Sequence, residues 1–326
     1  MKKVVVTGCI GFIGFHLCKK LLVKGYEVIG IDSAYSSKST WPEDSNPVMK
    51  RIKDDRLDTL MNHMNFTFHN ISVGDNLIEK FKGPLSVVHL AARAGIPFSR
   101  QKPLFYEMDN TYQFAKLLYN LKNVKVENFV YASSSSVYGG NDTPTGSTED
   151  IALEPLNVYA ATKAYNELQA RIYGEMYGIP TTGLRFFTVI GGTHGRVDMA
   201  MYKWTKAILA GEEVLLNNSG QMFRDFTPIE NIVSGIILAL EKPQKYKIYN
   251  LGCGKSIQIS DALAFIDKCL GGIPVNIKNM PFPEGEVLQS LSNIDLAKSE
   301  LGYEPTVSFE DSLEGYIKWY KEYFNV

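Results

Sequence analysis

Val4-Val5-Val6-Thr7-Gly8-Cys9-Ile10-Gly11-Phe12-Ile13-Gly14 decides how the first half of the chain folds. An apolar run leads into glycines spaced three apart, and Leu17, Leu21 and Leu22 then recur at helical spacing. A short buried strand, a glycine turn and an amphipathic helix make the first half of a βαβ unit. Each glycine has its own steric task. Gly8 permits the tight turn, Gly11 lets backbone N–H groups approach a pyrophosphate, and Gly14 lets the helix pack closely on the sheet. The helix N-terminus then faces the phosphates of a dinucleotide.

A second strand, Tyr26-Glu27-Val28-Ile29-Gly30-Ile31, ends at Asp32, the acid expected on the adenosine ribose hydroxyls. Ser33, Ala34 and Tyr35 follow, so a 2′-phosphate meets repulsion and no counter-charge, and NAD is favoured over NADP. The spacing G-x-x-G-x-x-G, in place of the commoner G-x-G-x-x-G, narrows the kind of Rossmann protein. Glycines present only for packing are the plain alternative. The strand, helix and terminal acid around them argue against it.

At 326 residues the chain holds one large α/β domain or two modest ones. Hydrophobic content of 45% and charged content of 21% mark an ordinary soluble globular protein. A net charge of −1 gives no electrostatic case for nucleic acid or an anionic membrane. No apolar run approaches the length of a membrane span. Met1-Lys2-Lys3 resembles the start of a signal peptide, but the three glycines break the apolar stretch, which reads as mature structure. Cys9, Cys18, Cys253 and Cys269 form no C-x-x-C pair and have no His at zinc spacing. They read as reduced thiols of a cytoplasmic protein. His63, His69, His89 and His194 are not arranged as ligands, and no metal is expected.

Strand candidates Val4–Thr7, Val28–Asp32, Phe66–Ile71, Val87–Ala91, Phe129–Ser133 and Thr182–Phe187 alternate with helical stretches. That rhythm predicts a doubly wound, mostly parallel sheet with ligands beyond the carboxyl ends of its strands. The stretch from Ser33 to Asp55, rich in Ser, Pro, Asp and Lys, reads as a long loop that is functional or mobile. After Phe187 the pattern changes, and Gly191-Gly192-Thr193-His194-Gly195 leads into a smaller mixed α/β region. Residues 1–187 are therefore expected to bind the cofactor and carry the chemistry, and residues 188–326 mainly to bind substrate, the two parts interleaved. Leu313, Tyr316, Ile317 and Tyr320 have the spacing of a core-facing helix.

Tyr159-Ala160-Ala161-Thr162-Lys163 places Tyr and Lys on one helical face. A free phenol with a pKa near ~10 is a poor base at neutrality. Bringing it to about 7 needs roughly 4 kcal/mol, which an adjacent ammonium and the positive nicotinamide ring can supply. Lys163 is also placed to reach the nicotinamide ribose. Such a pair is common on solvated helices, but here it follows Val130-Tyr131-Ala132-Ser133-Ser134-Ser135-Ser136-Val137-Tyr138-Gly139. Four serines at the carboxyl end of an apolar strand present hydroxyls to a ligand, or else cap a polar turn.

Together with His89-Leu90-Ala91-Ala92, Asn110 and Arg224-Asp225-Phe226, these motifs resemble the extended short-chain dehydrogenase/reductases, and more closely the nucleotide-sugar epimerases and dehydratases. The likeness runs from the first strand into the C-terminal helix. The resemblance implies that Ser134 is the catalytic hydroxyl, Tyr159 the base and Lys163 its support. It implies cofactor contacts for Gly8, Gly11, Phe12, Ile13, Gly14, Asp32, Ala91 and Lys163. It also implies substrate contacts for Ser135, Ser136, Thr188, Arg196 and Arg224, with Arg224 on the nucleotide diphosphate.

The family's 4,6-dehydratases carry an Asp-Glu pair where Ser135 and Ser136 stand, and its hexuronate decarboxylases a Glu at the second position. Serine cannot do that acid–base work near neutrality, which leaves epimerisation. Leu184-Arg185-Phe186-Phe187-Thr188-Val189 and Gly195-Arg196-Val197-Asp198-Met199-Ala200 resemble the branch acting on UDP-glucuronate, whose Thr and Arg grip the sugar carboxylate. A surface salt bridge is the plain alternative for Arg196. One departure stands out: the family's Val-Tyr-Gly-Pro becomes Val189-Ile190-Gly191-Gly192, and the loop before Gly195 is one residue longer. The expected reaction is therefore NAD-dependent C4 epimerisation of UDP-glucuronate to UDP-galacturonate. The alternatives, in falling order, are a 4-epimerase of a neutral or N-acetylated nucleotide sugar, a decarboxylase or 4,6-dehydratase, and a non-catalytic NAD-binding sensor. By the same resemblance, helices around Leu104–Leu121 and Tyr159–Tyr177 pair between two copies in a homodimer, though their apolar faces also suit a core.

Overall fold

The computed structural model describes residues 2–33, 46–75, 81, 83–140 and 145–326. Its first half alternates β1 (Lys3–Thr7), α1 (Phe12–Val23), β2 (Glu27–Asp32), α2 (Pro47–Met61), β3 (Phe66–Asn70) and β4 (Leu85–His89). Then come α3 (Ile96–Gln101), α4 (Pro103–Tyr106), a π-helical turn (Glu107–Tyr112), α5 (Gln113–Leu121), β5 (Val126–Ser134), α6 (Val158–Tyr177) and β6 (Thr181–Phe186). Beyond them lie β7 (Thr188–Ile190), α7 (Ala200–Ala210), β8 (Val214–Asn217), β9 (Phe223–Arg224), β10 (Phe226–Pro228) and α8 (Ile229–Glu241). The chain finishes with β11 (Tyr246–Leu251), β12 (Ile257–Gln258), α9 (Ile259–Leu270), β13 (Ile277–Met280) and α10 (Phe309–Phe324).

Seven parallel strands form one sheet in the order β11-β6-β5-β4-β1-β2-β3. The order reverses between β1 and β4, which opens a crevice at their carboxyl ends. Helices cover both faces, so β4 and β6 are buried along their whole length. On one face Phe15, Leu17 and Leu21 of α1 pack with Ile232 and Ile236 of α8. On the other, Phe114 and Leu117 of α5 and Ala170 of α6 pack on Val5, Val87 and Phe129. A separate core joins Trp204 and Ile208 of α7, Leu263 and Ile266 of α9, and Leu313, Tyr316, Ile317 and Tyr320 of α10. This is the expected doubly wound sheet with a smaller mixed region, and α10 buries the residues expected of it.

The stretch from Ser33 to Asp55 corrects one expectation. Its second part belongs to α2, which starts at Asn46 with Oδ1 accepting from Val48 N at 2.9 Å and Met49 N at 3.2 Å, and Pro47 in the first turn. A capping Asn followed by Pro is a helix start. Met49, Ile52, Arg56 and Leu60 are its buried stripe, hidden in sequence among charged residues. Residues 34–45 lie outside the described residues.

Candidate active site

The glycine turn is held by Gly8 N donating to Ile31 O at 2.8 Å and Gly11 N to Gly8 O at 2.9 Å. Gly8 sits at φ +71°, a left-handed position that favours glycine. A Cβ on Gly14 would lie 2.0 Å from Gly8 O, so only glycine lets α1 start this close to the turn. Gly11 caps α1 without a side-chain bond, and no acid stands in the first turn. These first N–H groups open onto the crevice with the positive end of the helix dipole, the donor set a pyrophosphate requires. Asp32 closes β2, and its Oδ2 accepts from Ile10 N at 3.3 Å. The residues therefore fit a dinucleotide.

Ser134 ends β5. Its Oγ accepts from Ser136 N at 3.2 Å and lies 3.2 Å from Ser136 Oγ, so the same hydroxyl that caps the turn also bonds Tyr159. The capping reading of the serine run holds. Asn157 caps α6, its Oδ1 accepting from Ala160 N at 2.9 Å, and α6 thereby brings Tyr159 and Lys163 into the cavity. Lys163 Nζ donates to Ala132 O at 2.8 Å, which aims it along the strand end. Burial lowers its pKa to about 8, opposed by Glu167.

The expectation that Lys163 pulls the Tyr159 pKa down is corrected. Burial raises the phenol above its ordinary value, and the Ser134 hydrogen bond and the Arg196 charge oppose that rise. Lys163 Nζ is turned to the Ala132 carbonyl, and the charge that opposes the rise is that of Arg196.

One crevice of about 1740 Å³ takes in all the residues expected at the site, from Gly8, Phe12, Ile13, Asp32 and Ala91 to Ser135, Thr188, Arg196 and Arg224. A drug-sized ligand occupies roughly 300–1,000 Å³, so there is room for a dinucleotide and a second ligand. Arg196 spreads its fork over Asp198, Nε to Oδ1 at 2.8 Å and Nη2 to Oδ2. Arg224 reaches Glu286 at 3.1 Å and Phe223 O at 2.8 Å. Asn110, on the π-helical turn, ties Arg93 to α6: Oδ1 accepts from Arg93 N at 2.7 Å and Nδ2 donates to Thr162 Oγ1 at 3.2 Å.

Behind the serines lies a group the sequence reading missed. Glu167 accepts from Ser133 Oγ at 2.5 Å and from Arg185 Nε and Nη2 at 2.9 and 2.8 Å. Arg185 Nη1 donates to Tyr138 OH at 2.8 Å, which donates to Asn250 Oδ1 at 2.7 Å. The one signal was Glu167 standing one helical turn beyond Lys163. Arg93 was also missed; it lines the crevice, pairs with Asp109 and lies over the Phe105 ring. Among the described residues no cluster of His, Cys, Asp or Glu is arranged to hold a metal.

Residues 4–252 match the model of the NAD dependent epimerase/dehydratase family. The chain belongs to that family. Protein CapI of Staphylococcus aureus is 36% identical over 99% of each chain. The UDP-glucuronate 4-epimerase of Thermodesulfobacterium geofontis is 34% identical over 98% of this chain and 96% of its own. The crystal structure of UDP-glucuronic acid 4-epimerase from Bacillus cereus, in complex with UDP-glucuronic acid and NAD, superposes with a TM-score of 0.88 at 30% identity, covering 98% of this chain and 99% of that one. Ser135 and Ser136 line the crevice together with Tyr159 and Lys163.

Proposed function

We propose that the chain is an NAD-dependent 4-epimerase that interconverts UDP-glucuronate and UDP-galacturonate. The carrying observation is that Arg196, the cation suited to a carboxylate, lines the same crevice as Tyr159, whose phenol Ser134 bonds. A sugar bridging the two would offer its 4-hydroxyl to Tyr159 and its C6 carboxylate to Arg196 and Thr188. Relatives named UDP-glucuronate 4-epimerase support this reading.

Bound NAD supplies a reversible acceptor for the C4 hydride. Tyr159 takes the 4-hydroxyl proton and Ser134 hydrogen-bonds the same oxygen, giving a 4-keto sugar. Lys163 holds its charge beside the strand end and reaches the nicotinamide ribose. The sugar then turns its other face to the ring, the hydride returns to C4, and Tyr159 gives the proton back. Oxidation and reduction cancel. Ser135 and Ser136 bond the sugar, Arg224 bears on the diphosphate, and Gly8 to Gly14 with Asp32 and Ala91 hold the cofactor. The division of labour between residues 1–187 and 188–326 is proposed on the same footing.

A neutral nucleotide sugar is the second reading, favoured by Asp198 already occupying the Arg196 fork. An NMR time course with UDP-glucuronate and, separately, UDP-glucose and UDP-N-acetylglucosamine decides between them. Galacturonate signals without added cofactor are expected; turnover of the neutral sugars alone would replace the first reading by the second.

Tyr165, Leu168, Ile172 and Met176 of α6 are exposed at helical spacing, and α6 packs on the π-helical turn, whose Met108 and Tyr112 are exposed too. An apolar stripe of this kind suits a homodimer formed by these helices from two copies. No described helix is long and apolar enough to cross a membrane, and a cytoplasmic location is proposed with the free thiols.

A further inference from the structure

The segment that departs from the family pattern, residues 190–195, is anchored from the cofactor side. Gly191, Gly192 and His194 have φ of +79°, +66° and +55°. A Cβ on Gly191 would lie 1.7 Å from Ser312 Oγ, and one on Gly192 would lie 2.7 Å from Ile229 Cγ2 and 3.0 Å from the His16 ring. The loop is thus wedged among α1, α8 and α10 in a conformation that L side chains rarely adopt. Two carbonyls fasten it: Thr193 O lies 2.9 Å from His16 Nε2, and His194 O accepts from Arg56 Nη2. The His194 ring packs against Phe15, Trp319 and Tyr323.

Arg56 is 1% exposed, and its other arm, Nη1, donates to Ile10 O at 2.7 Å. One rigid guanidinium therefore spans a carbonyl of the glycine turn and a carbonyl two residues before Arg196. A planar fork fixes both distance and angle, which a flexible ammonium does not. Arg56 also lines the crevice, where its charge bears on Asp32 and Arg196.

The geometry points to Arg56 as a positioning residue for the carboxylate grip: it sets Arg196 through the 190–195 loop and ties that setting to the cofactor turn. This rests on the hexuronate reading above. The consequence falls on the 4-keto stage, where the sugar is a β-keto acid. If the C5–C6 bond lies along the carbonyl π system, it breaks, carbon dioxide leaves, and its electron pair passes to the C4 oxygen as an enolate. A proton taken at C5 and the hydride returned to C4 then yield a UDP-pentose, again with no net redox change. Arg196 held by the loop keeps the carboxylate out of that alignment.

The test uses the NAD-loaded enzyme and the variants Arg56→Met, Arg56→Lys and Gly192→Ala. Two readouts are taken: the UDP-pentose share of product by NMR, and the ratio of Kd for UDP-glucuronate to Kd for UDP-glucose by calorimetry. Arg56→Met is expected to raise both by about tenfold with the UDP-glucose Kd unchanged, a displacement of the grip rather than general damage. Arg56→Lys should fall between it and the wild type. If Arg56→Met does not fold, Gly192→Ala, which shifts the loop against α1 and α8 while leaving Arg56 in place, is expected to give the same shift. A folded variant with wild-type product partition and Kd ratio overturns the inference. Wild-type enzyme that neither epimerises UDP-glucuronate nor prefers it to UDP-glucose overturns the substrate reading, and this inference with it.

Discussion

Ser134, Tyr159 and Lys163 stand on a strand end and a helix tied to each other through Ser133, Glu167 and Arg185, all nearly fully buried. Arg196 stands on a loop with left-handed backbone, fastened by carbonyl bonds to His16 and Arg56. The first region is fixed by side chains of regular elements, so the three residues share one rigid frame. The second is fixed through its backbone, so its sequence can change while the chemistry stays in place. Under the proposed function, rate is thereby separated from choice of sugar.

The strongest way to break this comparison is Tyr159→Phe. It should lower kcat by about 10²–10⁴-fold while the Kd of UDP-glucuronate, measured by calorimetry, stays within a few-fold. Near-wild-type turnover would remove Tyr159 from the chemistry. Glu167→Gln leaves Arg185 buried without its carboxylate and should cost about 3–5 kcal/mol in urea denaturation. A loss well under 1 kcal/mol, the size of a surface pair, would mean the frame is not rigid as described. Arg196→Ala should raise KM for UDP-glucuronate by roughly tenfold, the worth of one charge-assisted hydrogen bond, and release UDP-pentose, with less change in kcat. Unchanged kinetics on the uronate would exclude the loop from sugar choice.

The smallest expected effect is a titration. Lys163, lowered by burial to about 8, is charged below that pH and neutral above it, so kcat should fall as pH rises through about 8. Glu167→Gln removes the carboxylate that supports the ammonium and should move this limb to lower pH. A limb that stays put in the variant would uncouple Glu167 from Lys163.

The first sheet strands were legible because parallel strands buried on both faces read as apolar runs, Val4–Val6 above all. Tyr159 and Lys163 were legible as a helical pair beside a serine run that no apolar strand explains. β11 was not: Tyr246 and Lys247 give it a half-polar start, and only its last three residues are buried. Arg56 was hidden because an arginine in a charged run reads as solvated, and its acceptors, Ile10 and His194, come from distant parts of the chain. Arg185 and Glu167 meet across a strand and a helix, a pairing that no local spacing records.

β11 has a consequence for the order in which the molecule can be made. It lies beside β6 in the sheet, and Asn250 N donates to Glu149 at 2.7 Å, yet Leu251 is synthesised long after Phe186. At about 5–20 residues per second, several seconds pass with β6, buried along its whole length in the finished fold, as a bare sheet edge on the nascent chain. Such an edge is a template for pairing with another chain. Until β11 leaves the ribosome and takes its place as the outer strand, β6 is the edge that the growing polypeptide exposes.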